Sequence, residues 1–598
     1  VAWLALSLII LVAAFASRAA AVAVAALLCA WLVRGGPGLK PVPDTGTTQT
    51  GFNWHHGTLA AAGVGGLMAL VLAFPALRAS ASGYGSYDAA VWIDAPFHAS
   101  YVSAIATALR TGEYVDIHGR GLPVQLYHFG AYAIPALIKS LAGTSSLALT
   151  QIFTAWNGIW LAVSAYALAS CFVTRPAVAW SAAMIALAVP DPGMFSAGHP
   201  AFGFHWLLQV ASASGIGLSL ALIACAVMVH AARVSNLRLV LLAWALTALL
   251  AVFKGQLFIV VAIPMFAYPA VALPGLSARL RGTVLCVMLA CVASVTWLAS
   301  HSASLPLVRI DFSSASQLLE QTARYAPEWQ RDALVAAVSS GPVPSLIALA
   351  AALTGWMYGM WLIVWLVATV VFRRSSVATP PRPLLVLAAV AILLALGFAA
   401  DNRMATGGPF EAHLQGQIWG YACMAIAVSV LVTSRVAATA PVMGPTTVVA
   451  LALVALSATL LPGPNFQRAS PIPVATFRHG PSSVAVQALA SSGDVCGTTW
   501  VTGGDPYFIW QAALEGPSWV VDYALNPNQR AEVSARLDAW RNRQGDVEPW
   551  LRANGISRYI IPDDVAARTD DVPQRTPDVA LPGLRAWHIA PAIPCRRA

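Results

Sequence analysis

Charged residues are scarce in this chain: Asp, Glu, Lys and Arg make up only 10% of its 598 residues, against about 25% in ordinary soluble domains. With 58% hydrophobic residues and a mean hydropathy of +0.69, that scarcity excludes a soluble multidomain protein. Basic runs are absent too. The formal net charge of +9 is spread mostly as single Arg residues at the ends of apolar stretches, and without a basic stripe a nucleic-acid partner is excluded. No CxxC and no Cys/His cluster occurs, which argues against a zinc or iron–sulfur centre. Six of the eight Cys (Cys29, Cys171, Cys225, Cys286, Cys291 and Cys423) fall in apolar runs, where a thiol behaves as a small hydrophobe. The other two, Cys496 and Cys595, lie in the C-terminal tail and can pair in an oxidising compartment. A phosphate-cradling Gly loop is missing as well, Gly503-Gly504 being too short.

What the chain has instead is long apolar runs. Segments 58–77, 147–171, 206–229, 239–253 and 345–372 are nearly free of charge. About 20 such residues cross a bilayer as a helix, and inside lipid a helix satisfies its own backbone. Roughly thirteen or fourteen spans are expected. Val1–Ser17 has no basic region before it and is followed at once by a second apolar run, Ala19–Val33, so both read as retained spans and not as a cleaved leader. The expected fold is thus an α-helical polytopic membrane domain, residues 1–461, followed by a soluble extracytoplasmic α/β domain, residues 462–598. After Pro462-Gly463-Pro464 the tail balances 13 Arg against 13 acids. Its β-rich runs (498–501, 519–523, 559–562 and 585–589) alternate with helical patterns such as 529–543.

The acids are the most informative feature. Thirteen of the 25 fall after residue 461, and eleven of the remaining twelve gather in four stretches where the apolar pattern breaks. Those stretches read as loops on one face, at 79–123, 191–205, 301–343 and 400–414, and the tail is expected on the same side. Short basic turns at 233–238, 279–281, 373–382 and 435 mark the other face, which the excess of Arg makes cytoplasmic. The acid-bearing face and tail are then outside, at the cytoplasmic (inner) membrane of a cell envelope. One conflict remains: counting spans back from Arg233 puts the 79–123 loop on the wrong side by one crossing. Some stretch between Val124 and Pro190 must therefore be re-entrant or half-length.

The first loop is longer than a connector needs, and loops of that length are commonly functional. It carries Asp88, then Trp92-Ile-Asp94-Ala-Pro-Phe-His98, an amphipathic stretch to Arg110, Arg120-Gly-Leu-Pro, and Tyr127-His128-Phe-Gly130. Asp94 suits a helix cap and Pro96 a first turn, so a surface helix lying along the membrane is expected from here. Within it Asp94 and His98 share a face. Either they act as cap and interfacial histidine, or Asp94 serves as general base on an acceptor hydroxyl, with Asp88 as a second candidate. Asp94 and His98 are also the pair that would hold a divalent metal. Lys254 interrupts an apolar run as Phe253-Lys-Gly-Gln256 and must reach an interface or an anion. With Gly255 it reads either as the outer turn of a helical hairpin facing a lipid phosphate or as a snorkelling span end. Arg403, Glu411, His413 and Gln417 form a polar stretch whose guanidinium suits a phosphate. Stretch 309–332 is amphipathic and reads as an in-plane interfacial helix.

On these residues the chain resembles the GT-C superfamily of membrane glycosyltransferases. Phe253-Lys254-Gly255-Gln256 is similar to the Lys-Gly turn of the protein-mannosyltransferase and lipid-A aminoarabinose-transferase branch, and 94–98 with 127–130 resemble segments of bacterial GT-C-like proteins. The branch usually carries adjacent acids in its first loop, whereas here Ala95 follows Asp94 and Ala89 follows Asp88. The resemblance implies an inverting transferase that moves sugar from a polyprenyl-phosphate donor to a lipid, glycan or protein acceptor at the outer membrane face. It implies Asp94 or Asp88 as the catalytic carboxylate and Lys254, Arg403 and Arg120 against the donor phosphate. His98, His128, Tyr127, Glu411, His413 and Gln417 would line the pocket. The alternatives are a transporter or flippase of lipid-linked sugars and a polysaccharide polymerase or ligase of another membrane fold. A transporter would carry its ionisable residues at mid-span, which the loop-bound acids disfavour.

Overall fold

A computed structural model describes the chain chiefly over residues 95–119, 128–189, 213–273, 328–371, 381–400, 411–439 and 527–590, with shorter stretches between. Among the described residues five helices are long and apolar enough to cross a membrane, and four shorter apolar helices of 10–17 residues accompany them. The chain is a multi-pass, predominantly helical membrane protein with a small C-terminal sheet region.

The first loop begins with strand β1 (Ala90–Val91) and helix α1 (Ala95–Thr111). Pro96 sits in the first turn, where its missing N–H costs nothing, and Gly112, at φ 75, ends the helix by bonding back to the Ala108 carbonyl at 2.8 Å. The start agrees with the sequence, and the helix is covered by its neighbours. Residues 97–108 are buried throughout, packed against α2 (Phe129–Ala142) and α3 (Ser146–Ser170). The reason is the size of the polar residues on α1. Ser100 and Thr111 donate to the Phe97 and Thr107 carbonyls of their own helix at 2.7 and 2.9 Å, while the Ser103 and Thr107 hydroxyls are buried without a partner.

Helix α2, within the stretch where a half-length element is expected, is short. Its 14 residues rise only about 21 Å, short of a bilayer's ~30 Å hydrocarbon core. Next come α4 (Pro176–Ala188) and α5 (Ser214–Arg233). Helix α3 runs parallel to α5: Asn157 lies against Gly215, and the Cys171 thiol reaches the Ala226 carbonyl at 3.5 Å. Both ends near Arg233 are therefore on one face, with the Arg233 guanidinium 5.1 Å over the Phe172 ring. Helix α2 starts beside Phe253 and ends at the loop leading into α3, about 16 Å beyond the Asn157 level. It therefore lies at the end of the bundle away from Arg233.

Helices α6 (Leu237–Phe253) and α7 (Gly255–Ala272) form an antiparallel hairpin with Lys254 alone between them. The Trp244 indole donates to the Met265 carbonyl across it at 3.3 Å, and Trp244 meets Phe266 edge-on. Asn236 caps α6 by accepting from the Arg238 and Leu239 amides. From Leu237 to Phe253 the first arm rises about 24 Å, so Lys254 sits at the end of the hairpin away from Asn236.

Strand β2 (Val308–Ile310) precedes α8 (Ser314–Ala323) and α9 (Glu328–Ser339). The single in-plane helix expected at 309–332 is thus two helices, because Pro327 removes a donor and restricts the residue before it. They pack together and on α10 (Pro342–Leu353), with Trp329 79% exposed and the Trp356 indole bonded to Gln330 at 2.7 Å. A π-helical turn, Thr354–Tyr358, joins α10 to α11 (Gly359–Val371). After α12 (Arg382–Gly397), strand β3 (Phe398–Ala400) pairs antiparallel with β2, tying the third acid-bearing stretch to the fourth. Helix α13 spans Glu411–Thr439, so the expected 400–414 loop ends earlier than read and Glu411 and His413 belong to the helix.

In the tail, β4 (Ala475–Thr476) pairs with β1. Beyond it come β5 (Thr498–Val501), α14 (Pro527–Arg541), α15 (Glu548–Ala553), β6 (Ile556–Pro562), α16 (Asp563–Ala566), β7 (Val579–Leu581) and β8 (Leu584–His588). One sheet of order β5-β6-β8-β7 results, with only β5 and β6 parallel. Its core is aromatic, with Trp500 4.7 Å from Trp540 edge-on and Tyr559 and Trp587 beside them. Leu122, from the first membrane loop, is buried in that same core, and Gly121 lies beside Arg536.

Candidate functional site

Lys254 is the residue around which the described polar groups converge. The hairpin break sets it with φ −160 and ψ 87, at once the end of α6 and the start of α7. It is 1% exposed. Space for it comes from a missing side chain: a Cβ on Gly217 of α5 would stand 2.6 Å from the Lys254 Cβ. Gly130 on α2 makes the same allowance for the neighbouring Phe253, whose ring carbon would be 2.5 Å from a Cβ there.

The Lys254 ammonium donates to His128 Nε2 at 3.3 Å. His128 precedes α2 in a left-handed conformation, φ 56 and ψ 24, uncommon for a residue with a side chain. Next to it, the His98 ring centre is 6.4 Å from that of His128, and His98 Nδ1 and the Tyr132 hydroxyl share a hydrogen bond of 2.5 Å. Three separate elements, α1, α2 and the hairpin tip, thus bring His98, Tyr132, His128 and Lys254 together. Burial first, and the Lys254 charge second, push the His98 imidazole from its ordinary 6.5 down to about 3. His128 is held well below its ordinary range by burial and then by Lys254. Both rings are neutral near pH 7, and a neutral ring can accept from the ammonium. Lys254 is the basic side chain of the group with the higher ordinary affinity for a proton, set in low dielectric, where a charge acts most strongly on an anion.

A second buried pair lies one aromatic layer away. His118 Nδ1 donates to Asp116 Oδ1 at 2.7 Å, and the His118 amide bonds the same oxygen at 3.0 Å. Tyr114 reaches the other oxygen at 3.5 Å and packs on Phe129, as does Tyr101, which stacks on Tyr132. The spacing of this Asp and His was visible in the sequence beside the chosen loop residues. Tyr132, four residues after His128 and so one turn along the same helix, was the one missed.

Of the sequence candidates, Lys254, His98, His128 and Gln417 are described and buried. Gln417 is on α13, where its Oε1 accepts from the Tyr358 hydroxyl at 2.6 Å. Glu411 and His413 lie in the first turn of α13. Asp88, Asp94, Arg120, Tyr127 and Arg403 lie outside the described residues, as do Cys496 and Cys595. Among the described residues no three His, Cys, Asp or Glu gather as a metal-binding group.

No protein-family model matches the chain, and no curated protein matches it in sequence. Among solved structures it is similar to an oligosaccharyltransferase from Archaeoglobus fulgidus in complex with Zn and sulfate, at 12% identity and TM-score 0.42 over 84% of this chain and 68% of that one. It is also similar to the archaeal oligosaccharyltransferase AglB from Archaeoglobus fulgidus in complex with an inhibitory peptide and a dolichol-phosphate. There the identity is 11% and the TM-score 0.44, over 86% of this chain and 70% of that one. A third is the arabinofuranosyltransferase AftD from Mycobacteria, at 16% identity and TM-score 0.42, of which the match covers 37% and 86% of this chain. With TM-scores below 0.5, these likenesses assign no residue of this chain a role.

Proposed function

We propose that the chain is a membrane glycosyltransferase that moves a sugar from a polyprenyl-phosphate donor to a lipid, glycan or protein acceptor at the outer face of the cytoplasmic membrane. The observation that carries this reading is Lys254: a lysine 1% exposed, alone at the tip of a hairpin between two apolar helices, where an anion such as a lipid phosphate would offset its charge.

In this reading the donor phosphate lies against the Lys254 ammonium, with Arg403 and Arg120 completing the anion site. Asp94, or Asp88 in its place, takes the proton of the acceptor hydroxyl. The acceptor oxygen then bonds the anomeric carbon from the face opposite the phosphate, and the carbon–oxygen bond to phosphate breaks. Its electron pair leaves on the polyprenyl phosphate, and the anomeric configuration inverts. Lys254 stabilises the charge that grows on the leaving phosphate, a preorganised electrostatic contribution. His128 holds the ammonium in place. Tyr127, Glu411, His413 and Gln417 border the pocket, and residues 462–598 form an extracytoplasmic domain over it. Where a divalent metal binds, Asp94 beside His98 is the pair to hold it.

The test is sugar transfer from a short polyprenyl-phosphate donor by the purified full-length protein. Asp94→Asn and Lys254→Ala should each lower the rate by two orders of magnitude or more, in the range seen when a general base or a charge-stabilising donor is removed. Full activity in Asp94→Asn overturns the carboxylate assignment. A wild-type protein that carries labelled donor across vesicles without transferring sugar overturns the enzymatic reading.

A further inference from the structure

Two amide atoms at the depth of Lys254 are buried without a partner: Gln256 Oε1 and Gln417 Nε2. Each such atom costs about 1–3 kcal/mol relative to a satisfied one, and a native structure keeps few of them. Gln256 is in the first turn of α7, two residues past Lys254. Gln417 is near the start of α13, which packs along α7.

Their depths agree. Tyr421 on α13 donates to the Val189 carbonyl at 3.4 Å, at the end of α4 away from the Arg233 face. Gln417 is one turn further from that face. Its rise above Arg435, which bonds the Ala368 carbonyl at the other end of α13, is about 27 Å; the Lys254 tip rises about 24 Å above Leu237. The orientation of the Gln417 amide does not matter. Tyr358 engages one of its polar atoms at 2.6 Å, so turning the amide over still leaves the other unpartnered. Trp361 and Trp419 also bury unpartnered indole N–H groups, but an indole only donates, whereas the two amides supply an acceptor and a donor.

We infer that Gln256 and Gln417 bind hydroxyl groups of the sugar carried by the donor, an inference that rests on the proposed function. A sugar hydroxyl both donates and accepts, so one can give its proton to Gln256 Oε1 while another takes a proton from Gln417 Nε2. A polyprenyl tail can do neither. The sugar of a lipid-phosphate donor is bonded to the phosphate, and a phosphate at Lys254 puts that sugar within reach of residues at the same depth. Buried amides of this kind select strongly, because a sugar lacking the matching hydroxyl leaves them unpaired again. They are specificity-determining residues for the donor sugar.

The experiment measures binding to the full-length protein in nanodiscs of citronellyl phosphate, and of citronellyl-phosphoryl mannose, glucose and arabinose. In wild type, one sugar-bearing probe should bind at least tenfold tighter than citronellyl phosphate. Gln417→Met and, separately, Gln256→Met should each cut that preference by about tenfold, roughly one hydrogen bond, while the affinity for citronellyl phosphate stays within twofold. Thermal melting checks that each variant is folded, and the two positions give independent readings. If wild type prefers a sugar-bearing probe and both variants keep the full preference, the amides hold only protein-internal water and the inference is overturned while the proposed function stands. Equal binding of all probes by wild type overturns both.

Discussion

Replacing Gly217 with Ala tests how tightly the Lys254 tip is seated. The added Cβ would stand 2.6 Å from the Lys254 Cβ, 3.3 Å from its Cγ and 3.3 Å from Leu257 Cδ1. Carbons in good contact are about 3.5–4.0 Å apart, so the tip or α5 must give by about 1 Å. The overpacking costs about 1–3 kcal/mol. Catalytically the effect should be larger, since a misplacement of about 1 Å can cost about a hundredfold. We expect kcat for sugar transfer to fall by about a hundredfold in purified Gly217→Ala, with a modest loss of melting temperature. Gly255→Ala is the contrast. Although Gly255 is the glycine of the Lys-Gly pair, a Cβ there meets nothing within 4 Å, and as a helical position it gains up to about 1 kcal/mol from the change. Its melting temperature should hold or rise and its rate should change only a fewfold. A Gly217→Ala protein with near wild-type kcat, or a Gly255→Ala protein as impaired as Gly217→Ala, refutes the seating.

The His98 ring gives a pH signature. Its ordinary value of 6.5 falls to about 3 in the folded protein, so the unfolded chain binds the proton more readily. The stability it contributes is full above about pH 6.5 and is lost as pH falls toward 3; melting measured from pH 7 to pH 4 should show the decline, and His98→Gln should flatten it. In the tail, Leu122→Asp puts a carboxylate into an apolar core where Leu122 is 6% exposed. A substitution of that kind costs several kcal/mol, and limited proteolysis should then release residues 462–598 from the membrane part much faster than in wild type. Unchanged cleavage would show that the first loop does not hold the tail.

Where local pattern decided the outcome, the sequence was readable. Strand β5 spans the run read as β-rich, β8 and β6 overlap theirs, and α14 covers the helical pattern to within a turn. Alternation, Pro-Gly breaks and a charged helix face are local signals, and so was the Lys-Gly interruption that became the hairpin tip. Decisions made by packing were not readable. The hydroxyls of α1 read as the polar face of an amphipathic helix, but Ser100 and Thr111 bond to their own helix and the small side chains of the stripe let α2 and α3 pack on it. That some stretch between Val124 and Pro190 is short was readable, but not which one; α2 stops after 14 residues at Gly143, whose left-handed φ of 66 lets its amide bond back to the Lys139 carbonyl. Tyr132 has no distinguishing letter pattern, and only the approach of α1 to α2 gives it a partner in His98.

The two ends of the first loop change what the tail can be for. Strand β1 lies between the candidate acids, two residues after Asp88 and three before Asp94, and its partner is β4 of the tail. At the loop's other end Leu122 enters the tail's aromatic core, six residues before His128. Residues after 461 therefore hold the first loop at two points, Ala90–Val91 through β4 and Leu122 through the aromatic core. A carboxylate on an unsupported loop would be free over several ångströms, more than a general base tolerates. Pairing through β4 fixes the backbone at Ala90 and Val91, between the two positions. The tail is better understood as part of the support for the site than as a cover laid over a finished one.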